Sequence, residues 1–305
     1  MRPSPNREST GPNCESTIPE QGVRHPQSGM RERSTLALLS DIHGNAAALE
    51  AVLADLAERR VADVYCLGDL VGYGPEPNEV ISLVRDANIP CVRGNYDDGV
   101  GFARGSCGCY YPDDEARAIG DASYQFTEGE VADDNREWLA SLPDELRLER
   151  AGWRVRLVHG SPRRINEYLL VDRDERTFRR LAPEVDADVL AFGHTHQTWH
   201  RSYDGVLFVN VGSVGRPKDG DPRASYTLLR LEEGGPRPAA PGSAAAAGRA
   251  TMTGTAASRP AARESRFAGA SVEVVRVPYD VERTVRGVLA ARLPGPLAYG
   301  FMIGR

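Results

Sequence analysis

TLALLSDIHGNAAALEAVLADLAERR, residues 35–60, decides the fold. Its first part is a short apolar run, Leu36–Leu39, closed by a polar cluster with a glycine, which reads as a buried strand followed by a turn. Its second part carries Leu49, Leu53 and Leu56 at helical spacing behind Asn45, a residue suited to cap a helix N-terminus. A strand, a turn rich in chemically useful side chains and a helix make the opening unit of an α/β layer.

Outward from that stretch the same pattern recurs. ADVYCLG (62–68), IPCVRG (89–94), WRVRLVHG (153–160), ADVLAFG (187–193) and GVLFVNVG (205–212) are short apolar runs ending in polar or glycine-bearing clusters, and read as buried strands. PNEVISLVRDANIP (77–90) and NREWLASLP (135–143) read as helices, the first with Val80, Leu83 and Val84 on one side. ASYTLLRL (224–231) and SVEVVRVPYD (271–280) read as two late strands of one hairpin. Strands that alternate with helices early and follow one another late predict a layered α/β domain with sheets between helices.

Two stretches stand apart. Residues 1–33 are rich in Pro, Ser, Gly, Arg and Glu and bury too little apolar surface to offset ordering entropy, which predicts a disordered leader. Residues 233–268, dominated by Pro, Gly, Ala and Ser, predict a disordered insertion lengthening the hairpin loop at small entropic cost. The expected organisation is thus a core over 34–232 and a strand and helix over 269–305 that complete it.

The 305 residues are 41% hydrophobic, enough for one enzyme-sized domain. With 43 acidic against 37 basic residues and a net charge of -6, no broad basic field exists to hold duplex nucleic acid by counterion release. Five irregularly spaced cysteines are unlike a secreted disulfide framework, and no apolar run has bilayer-spanning length, so a cytoplasmic protein without a membrane partner is expected. Oligomeric state has no signature here.

The informative side chains fall just past the C-terminal ends of the expected strands, the edge where open α/β sheets bind ligands. Asp41 and His43 follow the first strand, Asp69 the second, Asn95 the third, His159 the fourth, and His194 with His196 the fifth. Residues two apart in extended chain point to one side, so each close pair is expected to face one centre. Glycines 44, 68, 94, 160 and 193 flank these positions and permit close backbone approach. Imidazoles, carboxylates and an amide without a nearby thiolate suit manganese, iron or zinc. Seven ligands exceed the need of one tetrahedral ion; two ions about 3.5–4 Å apart, one carboxylate bridging, would use them and would clamp the oxygens of a phosphoryl displacement.

SDIHGN, CLGDLVGYGP, RGNYD, VHGSP and FGHTH, in that order, resemble the motifs of the calcineurin-like metallophosphoesterases, especially their small bacterial and archaeal phosphodiesterase branch. The resemblance covers roughly residues 34–232. It implies a four-layer αββα sandwich of two mixed sheets, a first ion on Asp41, His43 and His196, a second on Asn95, His159 and His194, and Asp69 bridging both. Manganese is the favoured metal. The commoner pattern has histidine after Gly-Asn, where this chain has Tyr96. Without that histidine a poor leaving alkoxide lacks its acid, which favours a phosphodiesterase acting on a small phosphodiester or nucleotide by attack of a metal-bridging hydroxide. Tyr96 is then a candidate hydrogen-bond donor to phosphate, with Asp97 orienting it. The alternatives are a phosphomonoesterase, a protein phosphatase, a dinucleoside polyphosphate hydrolase, or a non-catalytic metal-binding scaffold.

The remaining candidates have plainer readings. His25 and His200 read as solvated residues, and Cys107 and Cys109 as small loop residues. Arg216 in NVGSVGRP is either a bidentate phosphate ligand or a solvated turn residue. The loop setting specificity is expected within 98–135, where no pattern is decodable.

Overall fold

Strand β1 (Arg33–Leu39) turns Leu36 and Leu38 to one apolar cluster and Ala37 and Leu39 to another. Both faces are therefore buried, which is why the run reads as continuous and not alternating. The computed structural model describes residues 33–236, 267 and 269–305. Apart from Arg33, the turn at 233–236 and Phe267, the expected leader and insertion lie outside the described residues.

β1 pairs in parallel with β2 (Asp63–Cys66) and antiparallel with β8 (Ala224–Glu232). β8 in turn pairs antiparallel with β9 (Ala270–Val277), the hairpin expected of the two late strands, and closes a four-stranded sheet β2-β1-β8-β9. The second sheet takes β3 (Glu145–Arg150), β4 (Trp153–Val158), β5 (Val189–Phe192), β6 (Trp199–Tyr203) and β7 (Val206–Asn210) in the order β3-β4-β5-β7-β6. Both sheets mix parallel and antiparallel pairs.

Period-two alternation assigns the layers. Val189 and Ala191 of β5 and Leu207 and Val209 of β7 meet Leu36 and Leu38 of β1 between the sheets. Leu190, Phe192 and Phe208 face the other way, onto Phe178 and Leu181 of helix α6 (Glu175–Val185). On the far side of the first sheet lie α1 (Ala46–Arg59), α2 (Pro77–Asp86), α3 (Asn95–Gly101), α4 (Asp114–Glu130), α5 (Asp133–Ser141), α7 (Val281–Ala290) and α8 (Gly295–Ile303). The result is helices, sheet, sheet and helix, the expected four layers. Asn45 caps α1 by accepting from Ala48 N at 3.1 Å.

Two expectations change. IPCVRG forms a single bridge, Cys66 to Cys91, and no strand, because Pro90 has no N–H to give a ladder. The C-terminal segment carries two helices after β9, not one. Among the described residues no helix is long and apolar enough to cross a membrane.

Candidate metal centre

Past the ends of β1, β2 and β5 the chain leaves the extended conformation at the residues that matter. Asp41, His43, Asp69, His194 and His196 hold left-handed backbone, with φ of 53°, 51°, 54°, 66° and 59°. Each such residue costs about 1–3 kcal/mol, and strain of this kind gathers where a site needs it. The expected geometry of the close pairs is thereby corrected. Asp41 and His43 do converge, through turns and not through an extended strand, while His194 and His196 part into two different clusters.

The loops are laced to one another by main-chain bonds. Asp41 N donates to Gly68 O at 2.9 Å, His43 N to Asp69 O at 3.0 Å and Gly44 N to Leu70 O at 2.8 Å. Gly94 lets the third loop approach so closely that a Cβ there would overlap the Asp69 amide.

All seven expected ligands are buried. Asp41, His43 and His196 form one cluster and Asp69, His159 and His194 another, with the ligand atoms of each within 4.8 Å of one another. In the first, His43 Nε2 stands 3.1 Å from His196 Nε2, and Asp41 Oδ1 lies 3.7 Å and 3.3 Å from those nitrogens. In the second, His159 Nε2 lies 2.9 Å from Asn95 Oδ1, 3.3 Å from His194 Nδ1 and 3.4 Å from Asp69 Oδ2. Asp69 Oδ2 is also 3.7 Å from His43 Nε2, so one carboxylate oxygen faces both clusters.

Outer partners fix these orientations. His43 Nδ1 pairs with Val71 O at 2.9 Å, His159 Nδ1 with Leu67 O at 2.8 Å and His196 Nδ1 with Arg216 O at 2.6 Å. A carbonyl only accepts, so each Nδ1 carries the proton and each Nε2 turns inward. Asn95 Nδ2 donates to Cys107 O at 3.0 Å and Cys109 Sγ at 3.2 Å, which leaves Asn95 Oδ1 to face the site. Cys107 and Cys109, expected as small loop residues, are joined as a disulfide beneath this amide.

Whether the residues fit a cation is decided by lone pairs. His43 and His196, each with Nδ1 committed, point two unprotonated nitrogens at each other, and Asp41 Oδ1 is buried with no hydrogen-bond partner. A positive charge in common resolves both conflicts, and buried carboxylates require one. In the second cluster a proton partly plays that role. Burial alone would lower the His159 pKa, but Asp69 and Asp41 push it up to about 10. Burial and the neighbouring His159 push His194 down to about 3. A cation taken up on His159 must therefore displace a proton. Manganese binding is expected to release protons and to tighten about tenfold per pH unit between pH 7 and 9 for one proton displaced. Calorimetry in buffers of different ionisation enthalpy reads this directly, and pH-independent affinity would count against it.

Tyr96 and Asp97 are placed otherwise than expected. The Tyr96 ring is 1% exposed and packs against His43 and Tyr73, so it forms the wall of the site. Asp97 does not orient it: its carboxylate accepts from Asp69 N at 2.8 Å, Leu70 N at 2.9 Å and Gly94 N at 2.9 Å. Burial and the charge of Asp69 push Asp97 up to about 6.

Two cations border the first cluster. The Arg216 guanidinium lies 4.3 Å above the Tyr73 ring, with its Nε buried and without a hydrogen-bond partner. Lys218, missed in the sequence, donates its main-chain N–H to His196 O at 3.1 Å, and its ammonium sits 5.9 Å from the same ring. Burial and Arg216 push the Lys218 amine down to about 7, against Asp41 and Asp69. Proximity to FGHTH in the fold, not in the sequence, is what marks it. His200 is exposed on β6, and His25 lies outside the described residues.

Residues 35–234 match the family model of the calcineurin-like phosphoesterase superfamily domain, so the chain belongs to the calcineurin-like phosphoesterases. An uncharacterized protein of Methanocaldococcus jannaschii is 30% identical over 290 residues, covering 90% of this chain and 99% of that one. Among solved structures, a metallophosphoesterase from Sphaerobacter thermophilus is 29% identical with a TM-score of 0.60, covering 89% of this chain and 99% of its own. A hypothetical protein from Pyrococcus horikoshii, 20% identical with a TM-score of 0.68 over 89% of this chain and 99% of its own, shares the fold. Membership implies a phosphoric ester hydrolase with metal-binding residues.

Proposed function

We propose that this chain is a dinuclear metal-dependent phosphodiesterase acting on a small phosphodiester or nucleotide. Asp41, His43 and His196 would hold one divalent cation and Asn95, His159 and His194 the other, with Asp69 available to both. The observation that carries this reading is Asp69 Oδ2, which lies 3.7 Å from His43 Nε2 and 3.4 Å from His159 Nε2 and so links two buried clusters. Bound there, two cations would ease deprotonation of a water and neutralise phosphate charge.

The chain's own residues do the rest. Val71, Leu67 and Arg216 carbonyls hold three imidazoles in the ligating tautomer. Arg216, with its unpartnered Nε, and Lys218 supply hydrogen bonds and charge to non-reacting phosphate oxygens at the first cluster. Tyr96 is walled in and burial pushes its phenol well above its ordinary pKa, which makes it a weak acid toward a leaving group. Substrates whose leaving group departs unprotonated are favoured.

The test is turnover of bis(p-nitrophenyl) phosphate and p-nitrophenyl phosphate by the manganese-loaded protein. The expected kcat/KM ratio favours the diester. Equal turnover, or preference for the monoester, would assign the site to monoesters.

A further inference from the structure

A cavity of about 750 Å³ lies beside the second cluster. Its wall includes Cys109, Tyr110, Arg163, Arg164, Tyr168 and Arg173. Two of its lining residues also touch the proposed metal site. The Tyr168 ring centroid lies 4.1 Å from that of His194, and Cys109 Sγ accepts from the amide of Asn95 at 3.2 Å. The two walls are tied together by Asn166 Nδ2, which donates to Gly108 O at 2.9 Å. The cavity therefore lies one side chain away from His194, across Tyr168, and from Asn95, across Cys109.

Its charge is lopsided. Three arginines face one carboxylate, Glu167, and that carboxylate is already engaged by Ser161 Oγ at 2.5 Å, Arg163 at 2.8 Å and Arg173 at 3.6 Å. Arg164 has no ion-pair partner among the described residues. A cationic wall of this kind stands out on a chain of net charge -6, and guanidinium forks match phosphate oxygens. The size leaves room for much more than a lone phosphate: 750 Å³ is the space of roughly 25 waters at about 30 Å³ each. Tyr110, 74% exposed at the rim, offers a flat face beside the arginines.

We infer that this cavity receives a second, non-reacting phosphate of the substrate, held by Arg164 and Arg173, so that the substrate is a nucleotide-sized ester bearing two separated phosphates. The inference rests on the reading of the metal clusters as the place where the first phosphate reacts.

The test compares thymidine 3′,5′-bisphosphate with thymidine 5′-monophosphate, titrated by calorimetry into the manganese-loaded protein and into the R164Q/R173Q variant, with manganese content measured in both. The expected result is binding of the bisphosphate about tenfold or more tighter than the monophosphate, as one added charge-assisted contact provides. That advantage disappears in the variant at unchanged manganese content. Equal affinities in the parent protein, or an advantage that survives in the variant, would overturn the inference. Failure of the phosphodiesterase reading shows differently, as absent turnover of bis(p-nitrophenyl) phosphate while the binding difference persists.

Discussion

Replacing Asp69 with alanine is expected to abolish turnover and strip bound metal in the same step. Its Oδ2 faces His43 and His159 together, and its Oδ1 accepts from Tyr96 N at 2.8 Å, so the side chain both joins the clusters and holds the loop that starts α3. Even outer partners of ligands are worth 10–100-fold in metal affinity or activity, so loss of a shared ligand costs more than about 100-fold. Asp69→Asn, which keeps the shape and an acceptor for Tyr96 but loses the charge, separates ligation from folding and should lose metal while melting cooperatively. Elemental analysis beside turnover of a chromogenic diester decides it. Full activity in a metal-depleted Asp69→Ala protein would end the proposal.

Asp97→Ala is expected to act through stability. Three buried amides, those of Asp69, Leu70 and Gly94, lose their acceptor together. Stranded buried donors cost about 1–3 kcal/mol each, while removing a carboxylate that Asp69 repels returns part of this, for a net loss of about 3–5 kcal/mol. Set against a total stability of about 5–15 kcal/mol, that lowers the thermal midpoint by roughly 10 °C. Because the freed amides belong to the loops bearing Asp69 and Asn95, manganese affinity should fall with it. An unchanged melting curve would deny Asp97 its anchoring role.

How far the sequence was legible follows from which signals are local. The strands that fill the centres of the sheets announce themselves because burial on both faces leaves unbroken apolar runs such as Leu36–Leu39 and Val189–Phe192. β3 and β6 escaped notice because they lie at sheet edges, where exposed Arg147 and His200 break the run. α4 was hidden by Gly120, Ser123, Thr127 and Gly129, weak helix formers held helical by packing against the core. The candidate ligand positions, Asn95 apart, were legible because strand ends carry function in this class of sheet. Their left-handed backbone was not, since single residues at positive φ leave no mark in composition. Tyr96 and Asp97 read as chemistry because of their neighbours in sequence, whereas burial and three amide donors make them wall and anchor. Lys218 and the arginine-lined cavity emerge only when distant segments are brought together.

Anomalous diffraction at the manganese edge from crystals grown with the ion tests the central claim most directly. The account predicts two peaks, one against Asp41, His43 and His196 and one against Asn95, His159 and His194, both within coordination distance of Asp69. A single peak, or manganese bound away from these seven side chains, would contradict it.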